Sequence, residues 1–290
     1  GEWAEFILKT KDYKRKNTLQ LIEDAGFDIK KQVESMTVFY ETAEKKKLML
    51  MVPMLHQGGF ERVCVLTARM LQPYYQVFIC VFNMDDLAYD VTGLPIIHLN
   101  LGVRDGKIGK VLNVFKRCLA AAKWKRQMGI DITYSFGPTA NLVNVLSKSK
   151  GETWCGIRSY MDMNPSNNKM LKLFANRADK IISCSKLIEE ELKERFKCKD
   201  VETLYNPYNS EWICSQSKEK IVDLPWDTSK GMTLVSMGRE DDIKGFWHLL
   251  KAFSLVAKEE KDAKLLIVGD GNFEEYKKLV KELNIREQVH

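Results

Sequence analysis

A segment near the end of the chain combines glycines and cations in a pattern that suits an anionic ligand. Residues 232–237 have the apolar character of a strand, Gly238 and Arg239 follow directly, and Lys244 comes five positions after Arg239. At the carboxyl end of a parallel strand, an arginine fork and a lysine point charge can converge on a diphosphate and stabilise it as a leaving group. The acids at 240–242 favour a charged surface loop instead, and spacing alone leaves both interpretations open.

A second segment follows the first apolar run, residues 48–52, and contains His56, Gly58, Gly59 and Glu61. Two glycines in a strand-to-helix loop let the backbone approach a ligand, and the helix beyond them offers free N–H groups to an anion. The pattern suggests a phosphate or sugar cradle, with an ordinary tight turn as the alternative. The histidine suits a packed residue and a ligand contact equally well.

Other patterns argue against several kinds of chemistry. Gly269-Asp270-Gly271 is similar to the start of a dinucleotide fingerprint, but Glu274 stands where the third glycine is needed, so a nicotinamide site is not favoured. The chain has no nucleophile elbow, P-loop, zinc-protease helix or Asp-x-Asp pair. Its seven cysteines form no Cys-x-x-Cys pair, which supports neither a disulfide framework nor a zinc site and predicts buried thiols.

The composition is that of a soluble globular protein. Hydrophobic residues make up 45% and charged residues 29% of the 290 positions, which excludes disorder and collagen. No apolar run approaches the roughly 20 residues of a membrane-spanning helix, and the start lacks a signal-peptide layout, so we expect a cytoplasmic protein. The net charge of +6 suits an anionic partner without identifying one.

Short apolar runs alternate with helical stretches from Lys47 onward, which is typical of βα units around a parallel sheet. We predict an α/β fold with one complete Rossmann-like, doubly wound domain and the first part of a second. The predicted parts are a helical N-terminal segment (1–46), a Rossmann-like domain (47–207), a linker (208–230) and a partial C-terminal domain (231–290). The missing initiator Met and the abrupt end at His290 lead us to expect a piece of a longer protein.

The predicted helix 107–128 carries seven cations and no acid. From Lys107 to Arg126 it could lie on an anionic membrane surface, where each cation contributes about 1 kcal/mol. The alternative is a helix that packs its apolar side on the core and leaves its basic side in solvent. Nucleic acid is not a predicted partner, because no aromatic residues interleave with the cations. The apolar residues of the helix are Ile108, Val111, Leu112, Phe115, Leu119 and Trp124.

In their order along the chain, these segments resemble the family 4 glycosyltransferases of the GT-B type, also called group 1. The resemblance runs from Lys47 to His290, about five-sixths of the chain. Each motif is weak alone, and the shared order makes the set specific. The motifs are Gly58-Gly59 with Glu61-Arg62, residues 178–185, Tyr205-Asn206-Pro207, Ser236-Met237-Gly238-Arg239 with Lys244-Gly245 and Ala252-Phe253, and residues 267–271.

The resemblance implies transfer of a sugar from a nucleotide-diphosphate sugar, a UDP-sugar, to a glycan or lipid-linked acceptor. Bacterial cell-surface polysaccharide synthesis is the implied setting, in the cytoplasm or on the inner face of the cell membrane. It further implies retention at the anomeric carbon, no metal and no cofactor. The donor would bind between the domains and the acceptor mainly on the first.

The resemblance also implies roles for single residues. By position in the motifs, Arg239 and Lys244 hold the donor diphosphate, with Gly59 and Gly238 allowing its close approach. Arg158 stands where many members carry a functional His, as in a subgroup that acts on lipid-linked oligosaccharides, so it is a candidate catalytic residue.

The loop that contains Gly58, His56 and Glu61 is implied to lie at the acceptor. Family members also carry a spaced pair of glutamates later in the second domain, which this chain lacks. We therefore expect the 290 residues to bind donor poorly and to catalyse little. The alternatives are a catalytically incomplete nucleotide-sugar-binding or scaffold module, and a GT-B-type epimerase, for which the sequence offers no acid/base candidates.

Overall fold

The computed structural model describes residues 2–10, 25, 33, 46–103, 105–159, 170–173, 175–228 and 230–290. The chain divides into two compact units, one of residues 18–214 and one of residues 1–17 with 215–290. The division lies inside the segment 208–230 that was predicted as a linker. Most of the helical structure predicted for residues 11–46 falls outside the described residues.

The first unit is built on a seven-stranded parallel sheet with the order β3-β2-β1-β4-β5-β6-β7. This order reverses direction at β1, as in doubly wound α/β folds. The predicted α/β class is therefore confirmed. The strands are β1 (Lys47–Val52), β2 (Gln76–Val81), β3 (Ile96–His98), β4 (Ile132–Phe136), β5 (Glu152–Ile157), β6 (Lys180–Ser183), β7 (Val201–Thr203), β8 (Thr233–Met237) and β9 (Lys264–Val268).

Helices alternate with these strands along the chain. They are α1 (Glu2–Thr10), α2 (Gly59–Leu71), α3 (Lys107–Met128), α4 (Pro138–Leu146), α5 (Lys186–Glu194), α6 (Ser210–Gln216), α7 (Phe246–Glu259) and α8 (Glu274–Glu282). Residues 170–173 are also helical. Helix α6, which lies within the predicted linker, was not predicted, because a seven-residue helix gives too short a period to recognise.

The core of the first unit lies on both faces of its sheet, and β1 shows how the sequence builds it. Residues 48–52 are completely buried. Leu48, Leu50 and Val52 belong to the cluster that includes the inner face of α2, whereas Met49 and Met51 join the cluster with α3 and α4. Alternate residues of a strand point to opposite faces, so an unbroken apolar run predicts a strand covered on both sides.

The second unit has a two-stranded parallel sheet, β8 beside β9, packed against helices on one face. Ala4 of α1 lies in the same hydrophobic cluster as Leu250 and Phe253 of α7. The N-terminal helix is therefore part of this unit and is not a separate segment. On the other face of the sheet, Val235 and Met237 are 62% and 78% exposed.

The long helix α3 has the predicted bounds, Lys107–Met128, but only one of the two predicted orientations of its apolar side fits the structure. The interpretation that its apolar side packs on the core is wrong, because Ile108, Val111, Leu112, Phe115 and Leu119 are exposed. The residues of α3 that are buried are Asn113, Arg117, Cys118, Ala121 and Lys125.

The cysteines are free thiols, as predicted. Cys64, Cys80, Cys118, Cys155 and Cys198 are buried, and Cys184 and Cys214 are half-buried. Among the described residues, no helix has the length and apolar character needed to cross a membrane.

The carboxylate of Glu189 joins α5 to the end of β7. It accepts hydrogen bonds from Lys193 (2.5 Å), Lys186 (3.0 Å) and the hydroxyl of Thr203. Burial alone would raise its pKa, but these donors outweigh burial and lower the pKa from 4.5 to about 2. The stabilisation is therefore complete above pH 4.5 and is lost as the pH falls towards 2.

We predict that Glu189→Gln lowers the free energy of unfolding at pH 7 by about 1–3 kcal/mol, because hydrogen bonds to a charged group are lost. The difference from the wild type should shrink as the pH falls below 4.5. Urea denaturation between pH 7 and pH 3 measures it, with Glu190→Gln on the exposed side of α5 as the control. A penalty that stays constant over this range would contradict the assignment.

Candidate functional site

The loop after β8 is shaped by two glycines and a capping aspartate. Asp241 accepts a hydrogen bond from the backbone N–H of Ile243 (3.1 Å) and so caps a short 3₁₀ helix, Asp242–Lys244. Gly245 ends this helix with a φ of 66°, a left-handed conformation that favours glycine, and also begins α7. The backbone conformation thus favours glycine at position 245 of the motif, whereas Lys244 supplies the positive charge.

Gly238 makes room for the lysine of this loop. A Cβ atom at Gly238 would lie 3.2 Å from Cδ and 3.3 Å from Cγ of Lys244. The aliphatic stem of Lys244 therefore lies against Gly238, directly after the end of β8. The Lys244 ammonium group has no ion-pair partner in the described part of the chain, so its charge is available to a ligand.

Arg239 is 70% exposed and is partly engaged by an acid of its own loop. Its Nη2 and Nε lie 2.9 Å and 3.3 Å from Oδ2 of Asp241. The backbone N–H of Ile243 and the Arg239 guanidinium together lower the pKa of Asp241. Both interpretations of this segment, a charged surface loop and an anion site, therefore have support. The loop pairs some of its own charges, and Arg239 keeps an Nη1 group that bonds to no other described residue.

The loop after β9 packs directly against the loop after β8. A Cβ at Gly269 would lie 1.8 Å from the carbonyl oxygen of Gly238, so only glycine fits. Glu240 accepts hydrogen bonds from the backbone N–H groups of Asn272 (2.9 Å) and Phe273 (3.0 Å). Packing between the two loops thus explains Gly269 of the segment that is similar to a dinucleotide fingerprint.

In the first unit, the loop after β1 is held by Tyr89, which was not predicted from the sequence. The Tyr89 hydroxyl donates to the carbonyl of Gly58 (2.6 Å) and accepts from its N–H (3.0 Å). Glu61 is 6% exposed, and its Oε2 lies 2.2 Å from where a Cβ of Gly58 would stand. Glu61 therefore packs beneath Gly58, and its contact with an acceptor stays a prediction.

Gly59 and His56 lie on the open side of the same loop. A Cβ at Gly59 would have no atom within 4 Å. His56 is exposed, with Nδ1 at 3.4 Å from the carbonyl oxygen of Asp86. The structure thus excludes the packed-residue interpretation of His56 and leaves the backbone of Gly59 accessible.

Arg158 lies just after β5 and spans the carboxyl ends of three strands. It donates to the Tyr134 hydroxyl on β4 (2.5 Å) and to Oδ1 of Asn206, which follows β7. Its guanidinium also lies 5.3 Å from the centre of the Phe136 ring. Tyr134 was not predicted; Asn206 was noticed only as part of the Tyr-Asn-Pro motif.

The structure brings these residues together in two groups. Gly58, Gly59 and Arg158 lie at the carboxyl edge of the large sheet, and Gly238, Arg239 and Lys244 lie at that of the small sheet. No group of three or more His, Cys, Asp or Glu side chains in the described residues could hold a metal ion.

We predict that Gly58→Ala destabilises the first unit by about 1–3 kcal/mol through overpacking against Glu61. Gly59→Ala, which has open space, should change stability by less than about 0.5 kcal/mol and serves as the control. In a Glu61→Ala background, the penalty for Gly58→Ala should largely disappear. Thermal denaturation of the four variants checks this, and an unchanged penalty in that background would refute the contact with the carboxylate.

Comparisons with known proteins identify similar sequences and folds. Residues 218–290 match the family model of glycosyl transferases group 1. An uncharacterized glycosyltransferase from Haemophilus influenzae is 28% identical over 137 residues, which are 45% of this chain and 36% of that protein. The matched region thus spans only about a third of the length of this relative.

Solved structures with low sequence identity share the fold. Sucrose-phosphate synthase from Thermosynechococcus elongatus has a TM-score of 0.62 at 16% identity, covering 85% of this chain and 70% of that one. Anabaena HepE in complex with UDP has a TM-score of 0.60 at 13% identity, covering 84% and 68%. The lipopolysaccharide outer core galactosyltransferase WaaB has a TM-score of 0.57 at 16% identity, covering 84% and 67%. The chain therefore has the fold of the GT-B glycosyltransferases, and its residues 218–290 match the family model of the glycosyl transferases group 1.

Proposed function

We propose that the protein is a retaining family 4 glycosyltransferase that moves a sugar from a UDP-sugar to a glycan or lipid-linked acceptor. Its setting is cell-surface polysaccharide synthesis at the inner face of the cell membrane. One observation carries the proposal. Arg239 and Lys244, inside the segment that matches the group 1 model, lie together at the carboxyl end of β8.

The chemistry follows from the charges of that loop. When the bond between the anomeric carbon and the phosphate oxygen breaks, its electron pair stays on the diphosphate. The acceptor hydroxyl forms the new bond to the anomeric carbon and passes its proton to an oxygen of the departing diphosphate. Two cations positioned at the diphosphate stabilise this charge in the transition state. Lys244 provides an unpaired ammonium, and Arg239 provides a fork whose Nη1 group is free among the described residues. This arrangement neutralises the diphosphate without a metal.

The neighbours in fold support the proposed substrates. HepE was solved with UDP, and with UDP and glucose. TarM, which shares the fold at a TM-score of 0.59, was solved with UDP and α-GlcNAc-glycerol. WaaB is a lipopolysaccharide galactosyltransferase. A uridine nucleotide donor and a cell-surface acceptor are therefore the substrates to test first.

The first unit is proposed to hold the acceptor. Arg158 is fixed by Tyr134 and Asn206, so its charge can meet an anionic or hydroxyl group without reorganising the side chain. The accessible backbone of Gly59 and the exposed ring of His56 lie at the same edge of the sheet. We propose that Gly59 approaches the donor diphosphate and that His56 contacts the acceptor.

We predict that Arg239→Ala and Lys244→Ala each weaken UDP binding about 10- to 100-fold, because a hydrogen bond to a charged group is lost. Arg286→Ala and Lys258→Ala are matched controls: Arg286 precedes Val289, which forms a bridge to Leu265 of β9, and Lys258 is in the last turn of α7, away from the loop. Ligand-observed NMR suits the weak binding expected of this chain. Uridine without phosphates should bind all five proteins equally.

Unchanged UDP binding in Arg239→Ala, or an equal loss of uridine binding, would refute the diphosphate assignment. In a transfer assay with UDP-sugars and lipid extracts, Arg239→Ala should lower transfer relative to the wild type. Donor binding without transfer to any acceptor would favour the non-catalytic module.

A further prediction concerns Asp241, which competes with a bound diphosphate for the Arg239 guanidinium. Asp241→Asn keeps a residue that can cap the 3₁₀ helix but removes the negative charge beside Arg239. UDP binding should tighten about 3- to 10-fold. Glu275→Gln on α8 is the control for a loss of charge elsewhere in the unit. Titration by NMR measures both, and weaker UDP binding in Asp241→Asn would show that Asp241 instead positions Arg239 for the ligand.

A further inference from the structure

The helix α3 packs on the first unit with a side that combines small apolar residues, Cys118 and Ala121, with two buried cations. Arg117 donates to the carbonyl oxygen of Leu101 from Nε (2.9 Å) and Nη2 (2.6 Å), and its guanidinium lies 4.7 Å from the Phe82 ring centre. Lys125, 1% exposed, donates to the backbone oxygen (3.0 Å) and Oδ1 (2.6 Å) of Asn144. These two buried cations are satisfied by oxygen atoms of the unit, so this side faces the protein.

The opposite side of α3 presents an apolar stripe to solvent. Residues three, four and seven apart lie on one face of a helix, and the stripe follows that spacing for about 16 Å. Its side chains are large and mostly exposed: Ile108 78%, Val111 70%, Leu112 52%, Phe115 61% and Leu119 56%. Single exposed apolar residues are ordinary, but a contiguous stripe of this kind marks an interaction surface.

Cations surround this stripe. Lys116 and Lys123 are exposed beside it, Arg126 continues it towards the C-terminus of the helix, and Lys107 and Lys110 are exposed in the first turn. Residues 107–128 contain no acid. The surface is therefore apolar along its centre and positive along its border.

We propose that this face of α3 docks on an anionic lipid surface, with the stripe inserted among the acyl chains and the cations at the headgroups. A helix in the plane of the interface buries its apolar face about 5–10 Å deep, which matches side chains that project from one face of α3. Lysine and arginine stems reach from that depth to the phosphates. The proposal rests on α3 alone and holds whether or not Arg239 binds a diphosphate.

Charge complementarity distinguishes a lipid surface from a protein partner. An apolar patch for a protein partner needs no border of one sign, whereas an anionic bilayer attracts every cation at the border over about a Debye length, 8 Å at physiological salt. The border of this stripe on α3 is positive, with no acid on the helix to oppose it.

Two sets of variants separate the apolar and the charged contributions. The first is Leu112→Ser with Phe115→Ser and Leu119→Ser; the second is Lys116→Gln with Lys123→Gln and Arg126→Gln. Ile221→Ser with Val222→Ser, at exposed apolar positions elsewhere, and Lys258→Gln with Lys261→Gln and Lys278→Gln are the matched controls. All altered side chains are exposed, and circular dichroism with thermal melting checks that each variant folds.

Flotation with vesicles of phosphatidylcholine, alone or with phosphatidylglycerol, measures the docking. The wild type and both controls should bind the anionic vesicles at least about tenfold better than the neutral ones, and less at high salt. The serine variant should lose at least about tenfold on anionic vesicles, and the glutamine variant should bind them no better than neutral ones.

Equal binding of the wild type to neutral and anionic vesicles would overturn the proposal. So would binding of the serine variant at the wild-type level. A wild type that ignores vesicles but forms a dimer in light scattering, with the dimer lost in the serine variant, would show that the stripe joins two copies of the chain.

Discussion

Parallel pairing of the strands is the constraint from which the arrangement of this molecule follows. In a parallel sheet every strand ends at the same edge, so the loops after neighbouring strands are forced together. In the first unit this places Arg158, after β5, within hydrogen-bond reach of Asn206, after β7. In the second unit it presses Gly269, after β9, against the carbonyl of Gly238, after β8. The residues with chemistry are gathered at these two edges because the strands run the same way.

Three of the glycines in these loops are required by the packing of the loops themselves, independently of any ligand. Gly58 is restricted by the buried carboxyl of Glu61, Gly238 by the stem of Lys244, and Gly269 by a backbone carbonyl. Gly59 alone among these four has open space where a side chain would stand. The packing of Gly238 against Lys244 holds the lysine stem in place, which is the preorganisation that the proposed stabilisation of a diphosphate requires.

Features that depend on local periodicity could be predicted from the sequence. The apolar run of β1 and the bounds of α3 were predicted correctly, and the order of the motifs predicted the fold. Features set by contacts far apart in the chain were not predictable. Nothing near Gly58 indicates that the Tyr89 hydroxyl holds its backbone, and nothing in residues 1–10 indicates that Ala4 packs on α7.

The helix α3 shows the limit of periodicity most clearly. A period reveals that a helix has two faces but does not reveal which one meets the protein. Here Arg117 and Lys125 donate to carbonyl oxygens of Leu101 and Asn144, and the face that carries them, with Cys118 and Ala121, is the inner one. Partners so distant in sequence cannot be inferred from the helix itself.

The central claim is that the loop after β8 binds the diphosphate of a nucleotide sugar. A crystal structure of the chain with UDP tests it most directly. The account predicts phosphate oxygens at about 2.7–3.2 Å from the Arg239 guanidinium and the Lys244 ammonium, with Arg239 released from Asp241. A diphosphate bound elsewhere, with the Arg239 to Asp241 ion pair intact at 2.9 Å, would contradict it.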